Sequence, residues 1–305
     1  MKQESKGKTT MFRNLPIPVF TALLCFGISL TASATVYDPV SMDPPDPDPA
    51  FPPAFHELLM PSHGVLVSGF MLGANGRGPH PTVVLLHGFP GNEKNLDLAQ
   101  SLRRAGYNVL FFHYRGAWGS QGDYSIGGQA DDVAAVLGYV REHADELRAD
   151  PVKMSIIGHS LGGFTALRAA ARDKEIKCVI GLAAANFEAS GLSEAEQKDF
   201  SAYTDQLFML NNFNGARALA EIQANAAAFD VRNLAETFAG RSVLLITGTE
   251  DTSVPPDVQA GIVAAFDKAA DINLDAELIP GDHAFSVSRI KLQRMVIGWM
   301  DGNCR

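Results

Sequence analysis

The sequence predicts an α/β fold in which helices cover both faces of a mostly parallel central sheet. Short, continuously apolar runs alternate with longer amphipathic runs along most of the chain, which is typical of buried parallel strands joined by helices. With 305 residues, 46% of them hydrophobic and 19% charged, the chain is long enough for a sizeable globular core. In such a sheet ligands bind at the carboxyl ends of the strands, so functional residues are expected there.

The elements follow one another from residue 56 onwards. Strands are predicted at 56–60, 65–72, 82–86, 108–113, 153–157, 176–183, 241–246 and 272–279. Helices are predicted at 96–105, 128–147, 161–171, 256–269 and 284–300. The segment 186–240 has helical composition at 194–207 and 216–228 and no strand pattern, so we expect a helical insertion. A cap over the carboxyl edge is the favoured interpretation, and a peripheral packing element is the alternative.

The amino-terminal residues are typical of an exported protein. Residues 1–34 combine a basic leader, an apolar core at 19–30 and the small-x-small pattern Ala32-Ser33-Ala34, which predicts a secretory signal peptide. An uncleaved anchor is the alternative, although the apolar core is short for a membrane span. Residues 35–54 are rich in proline and aspartate and are expected to form a stiff linker to a domain over 55–305. We expect a periplasmic or secreted protein without a stable membrane span after cleavage.

Composition also limits the partners. The formal charge of −9 and the lack of a basic stripe argue against a nucleic-acid partner. The glycine and histidine spacings match no dinucleotide, phosphate or metal motif, so we expect no cofactor and no metal. Cys178 lies in an apolar run and is interpreted as a small core residue, while its pairing with Cys304 and the oligomeric state stay open.

A candidate nucleophile lies where a predicted strand meets a predicted helix, in Gly158-His159-Ser160-Leu161-Gly162-Gly163. Glycines two residues before and after the serine allow a sharp turn that would expose its hydroxyl above the sheet. The backbone N–H of Leu161 would then face an anion forming beside the serine. The alternative is a glycine-rich turn whose serine is incidental.

A base, an acid and a second anion donor are expected at the same edge. His283 follows the last strand, and Asp251 follows the strand before it, with Glu250 as the rival acid one residue away. The backbone N–H of Phe89, after the 82–86 strand, is the candidate second donor. His87 is expected to anchor that loop by hydrogen bonding.

Taken together, several motifs resemble those of the alpha/beta-hydrolase superfamily over about 65–299: His87-Gly88-Phe89, Tyr114-Arg115-Gly116, the serine turn, Gly248 to Asp251, and Asp282-His283. The chain looks most like small members near the dienelactone-hydrolase and prolyl-oligopeptidase-like branch. The resemblance implies the alpha/beta-hydrolase fold, a sheet of about eight strands and hydrolysis by acyl transfer. Dienelactone hydrolases use a cysteine where this chain has Ser160, and the chain has no room for the propeller of the oligopeptidases.

The expected function is therefore that of an exported serine hydrolase acting on small-molecule carboxylic esters, with Ser160, Asp251 and His283 as the triad and Phe89 and Leu161 as oxyanion donors. A small peptidase or amidase acting on short peptides uses the same residues, and a non-catalytic binding protein could keep the same fold. Both alternatives stay open at this point.

Overall fold

The computed structural model describes residues 37–187 and 193–305, and the expected signal peptide lies outside them. Within those residues, one sheet contains β1 Ala54–Ser62, β2 Val65–Gly73, β3 His80–Leu86, β4 Asn108–Phe112, β5 Ala149–His159, β6 Cys178–Leu182, β7 Ser242–Gly248 and β8 Asn273–Ile279. The strand order is β1-β2-β4-β3-β5-β6-β7-β8. Only the pairs β1–β2 and β2–β4 are antiparallel, and the other pairs are parallel. The predicted fold class is confirmed.

Helices cover both faces of this sheet. They are α1 Leu96–Arg104, α2 Gln129–Glu142, α3 Leu161–Arg172, α4 Glu194–Thr204, α5 Gly215–Ala224, α6 Ala226–Phe229, α7 Pro256–Phe266 and α8 Arg289–Asn303, with a 3₁₀ helix at Val231–Phe238. Successive strand residues enter different cores: Val84 belongs to the core that also contains residues of α2, α3 and α7, whereas Val83 belongs to the core that contains residues of α1 and α8. Because β3, β4, β6 and β7 are buried on both faces, these strands are almost continuously apolar in sequence, whereas the edge strands β1 and β8 are largely exposed.

The last helix begins later than predicted. The sequence pattern places its start at 284, but α8 begins at Arg289. The Asp282 carboxylate accepts hydrogen bonds from the backbone N–H and the hydroxyl of Ser286, both at 2.8 Å. Phe285 is buried with a left-handed φ of 56°. These contacts make residues 282–288 a turn, and this turn carries His283.

The insertion, residues 186–240, contains α4 to α6 and the 3₁₀ helix and lies between β6 and β7. Backbone hydrogen bonds join it to the loop after β4: Asn211 N–H donates to the Gly116 carbonyl at 2.6 Å, and Trp118 N–H donates to the Met209 carbonyl at 3.0 Å. The Glu221 carboxylate on α5 accepts hydrogen bonds from the residues just before α2. The described part of the insertion is therefore fixed to the sheet-edge loops at several points.

Residues 37–53, which the sequence analysis assigns to a linker, lie against the domain. Asp38 forms an ion pair with Arg294 on α8, and this pair lowers the pKa of Asp38 to about 2. The Arg148 side chain donates to the carbonyl of Phe51 at 3.2 Å. No helix in the described part of the chain has the length and apolarity needed to cross a bilayer.

Cys178 and Cys304 form a disulfide, with their Cα atoms 5.7 Å apart. Cys178 is buried, as expected of a core residue, and the disulfide answers the question of its pairing that the sequence left open. Cys178 is the first residue of β6, and Cys304 directly follows α8. The pairing could not be read from the sequence because 126 positions separate the two residues, and only the return of α8 along the sheet brings them together.

Candidate active site

Ser160 lies at the junction of β5 and α3 in a strained conformation, with φ 56° and ψ −123°. The glycines around it are required by close contacts. A Cβ atom at position 158 would lie 2.0 Å from the Gly162 carbonyl oxygen, and one at position 162 would lie 2.5 Å from the Leu86 carbonyl oxygen. Ser160 N–H donates to the Leu182 carbonyl at 2.8 Å. The turn is therefore fixed against both neighbouring strands, β3 and β6.

Asp251 and His283 meet across the loops that follow β7 and β8. The Asp251 side chain is fully buried, and its Oδ2 lies 2.7 Å from His283 Nδ1. Its Oδ1 accepts the backbone N–H groups of Ser253 and Val254, at 2.9 and 2.8 Å. Glu250, the rival acid, is exposed and accepts a hydrogen bond from its neighbour Thr249. Asp251 is thus the acid that the fold brings to the imidazole.

Ser160 and His283 line one cavity of about 330 Å³ beside the insertion. The other lining residues are mainly apolar or aromatic: Phe89, Ile126, Leu161, Ala185, Phe187, Phe200, Tyr203, Ser253 and Val254. None of these described lining residues carries a carboxylate. Across the described residues, no three potential His, Cys, Asp or Glu ligands come together for a metal ion. The described lining residues supply the hydroxyls of Ser160, Tyr203 and Ser253 and the imidazole of His283.

The loop after β3, residues 87–91, approaches the serine closely and is called the β3 loop below. A Cβ atom at position 88 would lie 3.3 Å from Ser160 Oγ. His87 Nδ1 lies 2.8 Å from the Gly88 carbonyl oxygen, and burial lowers the pKa of His87 to about 4. The imidazole is therefore neutral near pH 7 and carries its proton on Nδ1, because a carbonyl only accepts. Since C=O and N–H point in opposite directions across a trans peptide, this bond also sets the direction of the Phe89 N–H.

His159, next to the nucleophile, has a specific contact that the sequence analysis missed. It is buried, and its Nε2 lies 2.8 Å from the carbonyl oxygen of His283. Burial, and to a lesser extent the nearby His283, lowers the pKa of His159 to about 4. The neutral ring therefore donates from Nε2 and holds the backbone of the loop that carries His283. No local pattern indicates this contact, because the partners are 124 positions apart.

Comparison with known proteins agrees with this geometry. A family model described as alpha/beta hydrolase fold matches residues 81–215. The structure is similar to the esterase Pf2001 of Pyrococcus furiosus, with a TM-score of 0.66, 19% identity, and coverage of 84% of this chain and 93% of that one. It is also similar to Est1E from Butyrivibrio proteoclasticus, with a TM-score of 0.60, 18% identity, and coverage of 81% and 98%. The chain therefore has the alpha/beta-hydrolase fold, and residues 81–215 match the model of that family.

Curated relatives match over shorter stretches. A 31.7 kDa protein of the traX-finO intergenic region of Escherichia coli is 30% identical over 110 residues, which are 34% of this chain and 37% of that protein. The match thus spans about a third of the relative's length. The fold follows from these comparisons, and the reaction must be argued from the site.

Proposed function

We propose that this protein is an exported serine hydrolase that cleaves carboxylic esters of small molecules through an acyl-enzyme. The observation that carries the proposal is the pair formed by the buried Asp251 and the half-buried His283, on the cavity that also exposes Ser160. Ser160 Oγ attacks the acyl carbon, and His283 Nε2 takes the hydroxyl proton and returns it to the departing alkoxide. Asp251 keeps the imidazole proton on Nδ1 and compensates the charge of the imidazolium. Water then repeats the sequence and releases the carboxylic acid.

The oxyanion of each tetrahedral intermediate would be bound by two backbone N–H groups. Leu161 is the first residue of α3, so its N–H is free of an intrahelical partner and lies at the positive end of the helix dipole. Phe89 supplies the second N–H from the β3 loop, which touches Ser160 through Gly88. Donors that are fixed in advance at the position of the oxyanion make a large contribution to such catalysis.

Ester hydrolysis is favoured over peptide hydrolysis by the character of the cavity. A peptidase that reads a free amino terminus needs a carboxylate near the scissile bond, and the described lining residues provide none. Apolar and aromatic walls suit a neutral acyl group. Pf2001 is named an esterase, and ferulic acid is bound to Est1E in a related structure. The disulfide supports the export that the amino-terminal sequence predicts, because such bonds persist in oxidising compartments.

The test compares Ser160→Ala with Ser253→Ala, a second serine on the same cavity. Wild type and Ser253→Ala should hydrolyse p-nitrophenyl butyrate and react with a fluorophosphonate probe. Ser160→Ala should lose the probe reaction and several orders of magnitude in turnover, because the triad acts as a unit. Equal activity of Ser160→Ala and wild type would refute the proposed mechanism. A wild type that the probe does not label would instead indicate a non-catalytic binding protein.

Bond preference needs a separate comparison. p-Nitrophenyl butyrate and butyryl-p-nitroanilide have the same acyl group and differ in the leaving group. We expect the ester to be preferred in kcat/KM by far more than the difference in their uncatalysed hydrolysis rates. Faster cleavage of dipeptide p-nitroanilides with free amino termini than of the ester would support the peptidase alternative.

A further inference from the structure

The loop that follows β4, residues 114–118, has no role in the reaction proposed above, yet it holds the β3 loop at two points. Trp118 Nε1–H donates to the Pro90 carbonyl at 2.7 Å. The Tyr114 hydroxyl donates to the His87 carbonyl at 3.1 Å in a buried hydrogen bond. These two carbonyls lie on either side of Gly88 and Phe89. The segment that carries the Phe89 N–H is therefore tied at both ends to a single neighbouring loop.

The Trp118 ring is itself fixed in direction. The residue has a left-handed φ of 50°, and its backbone N–H donates to the Met209 carbonyl of the insertion at 3.0 Å. Ala117 and Leu210 form a β-bridge beside it. One face of the indole stacks on His113, with ring centroids 6.0 Å apart. Because backbone and ring are both held, the indole N–H meets the Pro90 carbonyl without an ordering cost during reaction.

We propose that Trp118 is a positioning residue that keeps the Phe89 N–H aimed at the oxyanion beside Ser160. This inference rests on the proposed function, in which the Phe89 N–H is an oxyanion donor. The bond from His87 sets the orientation of the Gly88–Phe89 peptide, and the Trp118 bond sets where its carboxyl-terminal end lies. Without the indole N–H, the Pro90 end of the β3 loop is free to move away from Ser160.

A misplaced Phe89 N–H affects the bound ester and the tetrahedral intermediate differently, because only the intermediate contains the oxyanion. The bound ester has little negative charge on its carbonyl oxygen, so a displaced donor weakens ground-state binding little. The tetrahedral intermediate carries the full charge, so the same displacement raises the barrier of the chemical step. A defect caused by Trp118 should therefore appear in kcat and leave KM nearly unchanged.

The experiment removes the indole N–H in the full protein by Trp118→Phe, which keeps an aromatic ring against His113. With p-nitrophenyl butyrate, and with rates normalised by active-site titration, we expect kcat to fall about tenfold, less than the 10²–10³-fold loss of a whole donor. KM should stay within about twofold. The inhibition constant of an alkyl trifluoromethyl ketone, which forms a tetrahedral oxyanion adduct with the serine, should rise by about the same factor as kcat falls.

Lys94→Gln is the matched control. Lys94 Nζ lies 5.1 Å from the Trp118 ring centroid, so this change alters the surroundings of the ring and keeps its N–H bond to Pro90. We expect it to leave both kcat and ketone binding close to wild type. If Trp118→Phe yields no folded protein, 3-benzothienylalanine at position 118, which replaces the N–H by sulfur in a ring of the same shape, serves as the test variant.

The results separate this inference from the proposed function. If wild type hydrolyses the ester and Ser160→Ala does not, but removal of the indole N–H leaves kcat and ketone binding unchanged, Trp118 has no positioning role. The same conclusion follows if the Trp118 variant loses activity only because fewer of its molecules are active, or only because KM rises. If wild type hydrolyses no ester, the proposed function fails first, whatever the Trp118 variants do.

Discussion

The disulfide provides a stability prediction whose size can be calculated. Replacing Cys178 by alanine and Cys304 by serine opens a loop with a sequence separation of 126. The chain-entropy relation assigns to a loop of that length about 16 cal/mol/K, or about 5 kcal/mol at 25 °C. For the roughly 270 residues of Tyr37–Arg305, an unfolding entropy of about 2.1 cal/mol/K per residue converts this into a melting temperature lower by about 9 °C. This is the largest decrease expected if the folded state is unchanged.

Differential scanning calorimetry of the purified protein, with and without reductant, measures this effect. Reduced wild type and the double variant should melt at the same lowered temperature. Ester turnover at 25 °C should be unchanged, because Cys178 begins β6 whereas Leu182, at the other end of the strand, contacts Ser160. A double variant that melts within about 2 °C of oxidised wild type would contradict the loop-entropy reasoning. Two reactive thiols from Cys178 and Cys304 in the denatured, unreduced protein would show that the bond is not formed.

Three further predictions concern the site. Asp251→Asn should lower kcat about 10⁴-fold, because an amide does not hold the required imidazole tautomer. Glu250→Gln, which changes an exposed side chain, should leave ester turnover near wild type. The reverse result would assign the acid to Glu250. Burial lowers the pKa values of His87 and His159 from about 6.5 in the unfolded chain to about 4 in the folded one. The contribution of each neutral ring to the free energy of unfolding is therefore fully present above about pH 6.5 and is lost as the pH falls toward 4. The loss is roughly 3 kcal/mol for each ring, and urea unfolding between pH 7 and 4 should show a shallower pH dependence in His159→Gln than in wild type. Phe200→Ala widens the cavity and should shift the kcat/KM ratio of p-nitrophenyl octanoate to butyrate toward octanoate by up to roughly tenfold; an unchanged ratio would mean that Phe200 does not contact the acyl chain.

Much of the sheet could be predicted because each buried strand contributes apolar side chains to the cores on both faces of the sheet. Neighbours such as Val83 and Val84 face opposite cores, so apolar side chains fill successive positions and the strand is visible without its partners. Helix ends were predicted less well. The start of α8 depends on the capture of Ser286 by Asp282 and on the buried, left-handed Phe285. A local pattern of helix-forming residues does not contain that information.

The candidate site divides in a similar way. The serine turn could be predicted because its glycines are demanded by backbone contacts within and next to the motif. Asp251 and His283 could be proposed because the ends of parallel strands meet at one edge. The contacts of Trp118 and His159 could not be predicted, since each joins loops that are distant in the chain. Local sequence motifs therefore indicate the reacting groups, and only the folded structure shows which residues hold them in place.

The two buried histidines connect the integrity of the site to the stability of the fold. His87 donates one N–H to the Gly88 carbonyl of the β3 loop, and His159 donates one N–H to the carbonyl of His283. The second ring nitrogen of each is buried, without a hydrogen-bond partner among the described residues. Protonation would therefore place an uncompensated charge beside the serine turn, which costs far more than losing one neutral hydrogen bond. A neutral imidazole contributes to holding both the β3 loop and the His283 loop. Acid therefore acts on the Phe89 donor and on the base through the same protonations that destabilise the domain.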